Sequence, residues 1–169
     1  QPLAPGVLSV PDITAAGDPP GRIYVSPDGK KRAILVNEFF KAALWLGQEN
    51  APAQLILSSQ GEIFSDLAWG PDSQALALIR TPLGSQTAVA SELWRLDPPD
   101  YTATRLSQNN VVDRSPVWSP DGTSLAIIRN EQRLIVPADR LLVEEFTLDE
   151  QAPVLSPAPP IEAAAQLTP

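Results

Sequence analysis

The residues in this chain whose types could support chemistry are carboxylates and arginines, because it contains no histidine and no cysteine. Ser-His-Asp and Cys-His nucleophile arrangements are therefore excluded within it, as are zinc sites built from imidazole and thiolate. No G-x-S-x-G elbow, Walker loop or dinucleotide fingerprint occurs either. What does recur is an aspartate, at Asp28, Asp72 and Asp121, spaced 44 and 49 residues apart. Each follows a proline and precedes Gly29, Ser73 or Gly122. In that setting Pro fixes φ, Asp bonds nearby backbone amides and Gly accepts φ > 0, so the three are expected to be structural turn residues. Calcium would need several converging oxygens, and the acidic stretches at 143–146 and 149–151 lack alternating ligands. A glycosidase-type carboxylate pair would have to be assembled by the fold, since no spacing marks one. No catalytic, cofactor-binding or metal-binding residue is expected. Asp66, Asp113 and Arg114 stand just ahead of extended segments, where surface loops are expected, and are the first candidates for partner contact.

The elements that position these residues repeat. "YVSPDGKKRAIL" (24–35), "AWGPDSQALALI" (68–79) and "VWSPDGTSLAII" (117–128) are one phrase in three versions. A period in the forties suits either helical repeats or four-stranded propeller blades, and the local pattern favours strands. Short extended segments precede each turn ("RIYV", "DLAW", "SPVW") and β-rich runs follow it ("RAILV", "ALALI", "SLAII"), which reads as a hairpin. Third segments follow at "AALWLG" (42–47) and "SELWRLD" (91–97), and fourth segments at "AQLILSS" (53–59) and "ATRLSQ" (103–108). In the last copy "RLIV" (133–136) and "LLVEEF" (141–146) take those places. The expected fold is all-β, with three four-stranded antiparallel blades. Trp69 and Trp118 occupy matching positions, as do Trp45 and Trp94, and all four are expected to pack between sheets. Asp72-Ser73 departs from Asp-Gly, so the middle turn is expected to be slightly strained or differently shaped.

Trp-Ser/Gly-Pro-Asp, then Leu-Ala, then Leu-Trp resembles the WD40-like repeat of TolB-type β-propellers. Similar blades form the propellers of prolyl-oligopeptidase relatives. The resemblance covers about residues 22–147 and implies blade architecture more than any one activity, since this repeat serves scaffolds, receptors and accessory domains of enzymes. It divides the chain into a Pro-rich N-terminal segment (1–21) with an outer strand at 6–12, blades at 22–65, 66–114 and 115–148, and a Pro/Ala-rich tail (149–169). Propellers close with four to eight blades, so three are incomplete or are completed by a partner.

Composition bounds the partners. The chain has 169 residues, 19 of them proline, and a net charge of −8. The prolines disfavour long helices, and the charge disfavours nucleic acid and anionic lipid as partners. Lys30-Lys31-Arg32 is the only compact basic run and reads as a solvated loop tip. Contact with a membrane is expected only through a partner or a removed anchor. The chain lacks methionine and is expected to be a processed or partial product. With the resemblance, this implies an extracytoplasmic bacterial protein, periplasmic or at the cell surface. The expected role is a non-catalytic interaction or scaffold module, a subunit or lipoprotein domain of a larger complex. Its partner is a protein or a second copy covering the open ends of the blade stack. The alternatives are an accessory propeller of a hydrolase whose catalytic domain is absent, and a glycan-binding module.

Overall fold

The structure is a computed structural model that describes residues 17–84 and 90–143. All its regular elements are strands. The first sheet is β1 (Arg22–Val25), β2 (Lys31–Glu38), β3 (Lys41–Gln48) and β4 (Gln54–Gln60), antiparallel in chain order. The second is β5 (Glu62–Trp69), β6 (Leu76–Pro82), β7 (Glu92–Asp97) and β8 (Thr102–Arg105), in the same arrangement. The third has three strands, β10 (Asp113–Trp118), β11 (Ser124–Arg129) and β12 (Gln132–Pro137). A short β9 (Ser107–Gln108) pairs in parallel with β13 (Leu142–Val143).

The sheets stack face to face, and β6 explains why. Leu76-Ala77-Leu78-Ile79 is wholly buried, the continuous apolar run of a strand covered on both faces. Alternate residues go to opposite sides. Leu76 and Leu78 join Ala33, Leu35, Leu44 and Phe64 in a core between the first and second sheets. Ala77 and Ile79 join Leu93, Leu125, Ile127 and Val136 in a core between the second and third. Asn37 extends the first junction by imitating a strand neighbour: its side-chain amide donates to the Phe64 carbonyl at 2.9 Å and accepts from the Phe64 N–H at 2.9 Å.

Three sequence expectations need correction. The first strands of the second and third sheets begin earlier than the apolar pattern suggests, at Glu62 and Asp113. Bulges between Phe64 and Asp66 and between Arg114 and Val117 break the alternation that would have shown this. Pro116 consequently lies within β10, in the bulge of an edge strand, where a missing N–H is tolerated. The segment 141–146 does not supply a fourth strand to the third sheet in its described part. Leu142 instead donates its N–H to the Leu106 carbonyl at 2.8 Å and packs against the second core, so β12 is an edge among the described residues. The basic run is also no solvated tip. Lys30 is exposed, but the Lys31 ammonium bonds the Ser73 carbonyl at 3.1 Å and Gln74 at 2.9 Å. Arg32 is buried and paired with Asp18 at 2.6 Å. Gly47 makes room for it: a Cβ there would sit 2.5 Å from the Arg32 guanidinium carbon.

The expected outer strand at 6–12 and the tail at 149–169 lie outside the described residues.

Candidate functional site

The recurring aspartates close their turns in one way. Asp28 Oδ1 accepts from the Ser26 hydroxyl at 2.6 Å and the Lys30 N–H at 3.0 Å. Asp121 Oδ1 accepts from the Ser119 hydroxyl at 2.6 Å, the Thr123 N–H at 3.1 Å and the Thr123 hydroxyl at 2.9 Å. Asp72 Oδ1 accepts from the Gln74 and Ala75 N–H groups at 2.9 and 3.3 Å. The next residue has positive φ in every case: 72° at Gly29, 57° at Ser73 and 72° at Gly122. Ser73 takes a backbone shape that favours glycine, and its hydroxyl accepts the Asp28 N–H at 3.0 Å. The strained residue thus ties the middle turn to the first.

These bonds favour the ionised carboxylates. The Ser119 hydroxyl, then the Thr123 backbone and side chain, bring the Asp121 carboxyl down to about 2. The Ser26 hydroxyl and the Lys30 N–H hold Asp28 below its ordinary value. Because the folded-state value of Asp121 is depressed, its contribution is complete above the ordinary value of 3.8 and is lost as pH falls toward about 2. Asp121→Asn should therefore unfold at a lower midpoint than the unsubstituted chain near neutrality. The gap should close across that acidic window in paired thermal melts. A gap that persists unchanged below it would mean that the carboxylate charge is not what closes the turn.

The residues proposed for partner contact separate. Asp113 is 1% exposed. Its carboxylate accepts from Arg129 Nε and Nη2 at 2.6 and 2.8 Å, from the Ser107 hydroxyl at 2.9 Å and from Asn109 at 3.0 Å. Buried this way it cannot meet a partner; it ties β10 to β11 and to β9. Asp66 is half-buried within β5, where it accepts the Ser115 N–H of β10 at 3.0 Å and faces the Tyr24 hydroxyl of β1 at 3.4 Å. It spans all three sheets. Arg114 alone lies open, paired with Glu131 at the surface.

The tryptophans separate as well. Trp69 donates its indole N–H to the Tyr24 carbonyl at 2.8 Å, and Trp118 donates to the Ala68 carbonyl at 3.2 Å. Each thus reaches back to the equivalent residue of the preceding sheet. Trp45 and Trp94 are only half-buried; the leucines before them, Leu44 and Leu93, fill the cores. Arg80 stacks over Trp94, 4.4 Å from the ring centroid.

These are propeller-type blades. The second and third sheets each pass an indole N–H and an apolar face to the one before. No protein-family model matches the chain. Among solved structures it is similar to hydrazine synthase of Kuenenia stuttgartiensis, with a TM-score of 0.57 and 15% identity over 69% of this chain and 39% of that one. It is similar to the tricorn protease at a TM-score of 0.54 and 16% identity, over 64% of this chain and 11% of that one. A TolB structure from Agrobacterium tumefaciens matches at 0.49 and 23% identity, over 66% of this chain and 39% of that one. The chain spans well under half the length of each, and at such identities the likeness is one of fold.

The repeat locates the surface left over. At the first sheet, the face turned away from the stack is covered in part: Ile34 is wholly buried and Arg32 is closed over by Asp18, while Val25 and Leu55 on the same face are 38% and 48% exposed. The outward face of the third sheet is different. Val117, Ala126 and Ile135 stand in one cross-strand row, with Val117 60% and Ile135 53% exposed. Ile128 and Arg133 form the adjoining pair, and Val117, Ala126, Ile128 and Arg133 line a shallow apolar depression of about 270 Å³ beside Ile135. Val117 stands where Tyr24 and Ala68 stand in the earlier sheets. Sequence reading missed this row because only stacking order tells which face of "SLAII" is covered.

No group of three or more His, Cys, Asp or Glu able to hold a metal ion occurs among the described residues.

Proposed function

We propose that the chain is a non-catalytic protein–protein interaction module that docks through the outward face of its third sheet. The row Val117–Ala126–Ile135 carries the reading. Cross-strand aliphatic rows of this kind are covered in both junctions inside the molecule, and contiguous apolar patches on soluble proteins mark interaction sites. The absence of histidine and cysteine supports a binding role over catalysis. The resemblance of the Ser-Pro-Asp-Gly phrases to TolB-type repeats supports placing the module in an extracytoplasmic complex, as a subunit or lipoprotein domain.

An apolar fluorescent dye tests the surface, at dilutions where light scattering gives the monomer mass. Dye emission should rise with the unsubstituted chain and fall several-fold with Val117→Ser/Ile135→Ser, while the unfolding midpoint changes little, since both side chains are already exposed. A monomer that binds no dye would overturn the docking surface.

A further inference from the structure

The hairpin between β2 and β3 carries a second apolar surface. Glu38 pairs with Lys41 in register, so Phe39 and Phe40 are the two residues of the turn. Phe39 is 96% and Phe40 60% exposed, with their rings in an edge-on pair 5.6 Å apart. Phe39 has φ of 49°, a conformation that two-residue hairpin turns normally assign to Gly, Asn or Asp and that is an outlier for a bulky residue. The equivalent turn of the third sheet carries Asn130 and Glu131 at φ of 49° and 62°, which are ordinary surface residues. At Phe39 the local rule is broken with no gain inside the described fold, and such departures concentrate at functional positions.

A complement to this tip is present on the same chain. The depression on the third sheet is walled by Val117, Ala126 and Ile128, and Arg133 at its rim is exposed with no ion-pair partner among the described residues. Glu38, beside the phenylalanines, is likewise exposed and without an ion-pair partner there. Arginine stacking on aromatic rings already occurs in this molecule, Arg80 on Trp94 and Arg95 on Trp118.

We infer that the occupant of the third-sheet face is a second copy of this chain, which inserts its Phe39–Phe40 tip into the depression and sets Glu38 against Arg133. The inference rests on the docking surface proposed above and names its partner. Tip and depression lie on different sheets, so the contact is heterologous: each copy both gives and receives a tip, and the assembly grows or closes into a ring.

Sedimentation and light scattering across a concentration series test this. The chain should exceed its 18.1 kDa monomer mass increasingly with concentration. Phe39→Ser/Phe40→Ser and Val117→Ser/Ile135→Ser should each weaken association by about 30-fold or more, the scale of buried anchors. An equimolar mixture of the two should stop at a dimer, because each retains one intact half of the contact. Glu38→Arg and Arg133→Glu should each weaken association by roughly 3-fold, and the doubly exchanged chain should recover. Unfolding midpoints of the variants separate these effects from misfolding. A chain that stays monomeric throughout, or associates equally without its phenylalanines, overturns the inference. Dye binding by the dilute monomer would in either case leave the docking surface itself standing.

Discussion

Replacing Asp113 by alanine is expected to destabilise the fold by about 3–5 kcal/mol, the range for breaking a buried ion pair by removing one partner. The carboxylate is wholly enclosed and bonded by both Arg129 nitrogens, Ser107 and Asn109. Without it, the largely buried Arg129 guanidinium loses its two-point contact with this carboxylate, and the Ser107 hydroxyl of β9 loses its acceptor on β10. Urea titration followed by tryptophan fluorescence measures the effect. Arg114→Ala supplies the contrast: Arg114 and Glu131 are open to water, and exposed pairs of this kind contribute about 0–1 kcal/mol. Equal losses for the two substitutions would mean that the Asp113 carboxylate is not held as described.

Removing the Trp69 side chain with alanine should also cost about 3–5 kcal/mol, the range for deleting a large buried aromatic. The ring fills the first core, with Phe64, Leu67, Leu76 and Leu78 around it, and its N–H reaches the Tyr24 carbonyl of the neighbouring sheet. Trp69→Phe separates the two contributions: it keeps most of the apolar ring and should lose about 0.5–1.5 kcal/mol, the net value of one hydrogen bond. Trp118→Ala should cost less than Trp69→Ala. It is only half-buried, at the margin of the core between the second and third sheets. If Trp118 proved the more costly position, the order of the sheets would be in doubt.

The neighbours Asp113 and Arg114 show where sequence reading stops. Both looked like surface candidates before a strand, yet the first is the most enclosed acid of the described chain and the second is open. Consecutive strand residues face opposite ways. The bulge at Ser115 and Pro116 then shifts the phase, so no alternation in the sequence assigns either side. The turn aspartates differ because their partners are local. Ser26, Lys30, Ser119 and Thr123 lie within two residues of the carboxylates they bond, and the bonds could be anticipated from the sequence alone.

The sequence by itself determined most of the strands and the Pro-Asp turns between them, though not where β5 and β10 begin or that β13 leaves the third sheet. Period-two patterns, Pro-Asp-Gly chemistry and the threefold repeat are short-range properties, read within about ten residues of each position. Only the tertiary structure decided which sheet faces are covered. "ALALI" and "SLAII" are nearly the same string, yet the first is apolar on both sides because sheets flank it, while the second leaves Ala126 and Ile128 half-open. Burial depends on what stacks against a strand, and stacking order is not a property of the strand's own residues. The same holds for Phe39 and Phe40: only the register of Glu38 with Lys41 places these two aromatics at the hairpin tip.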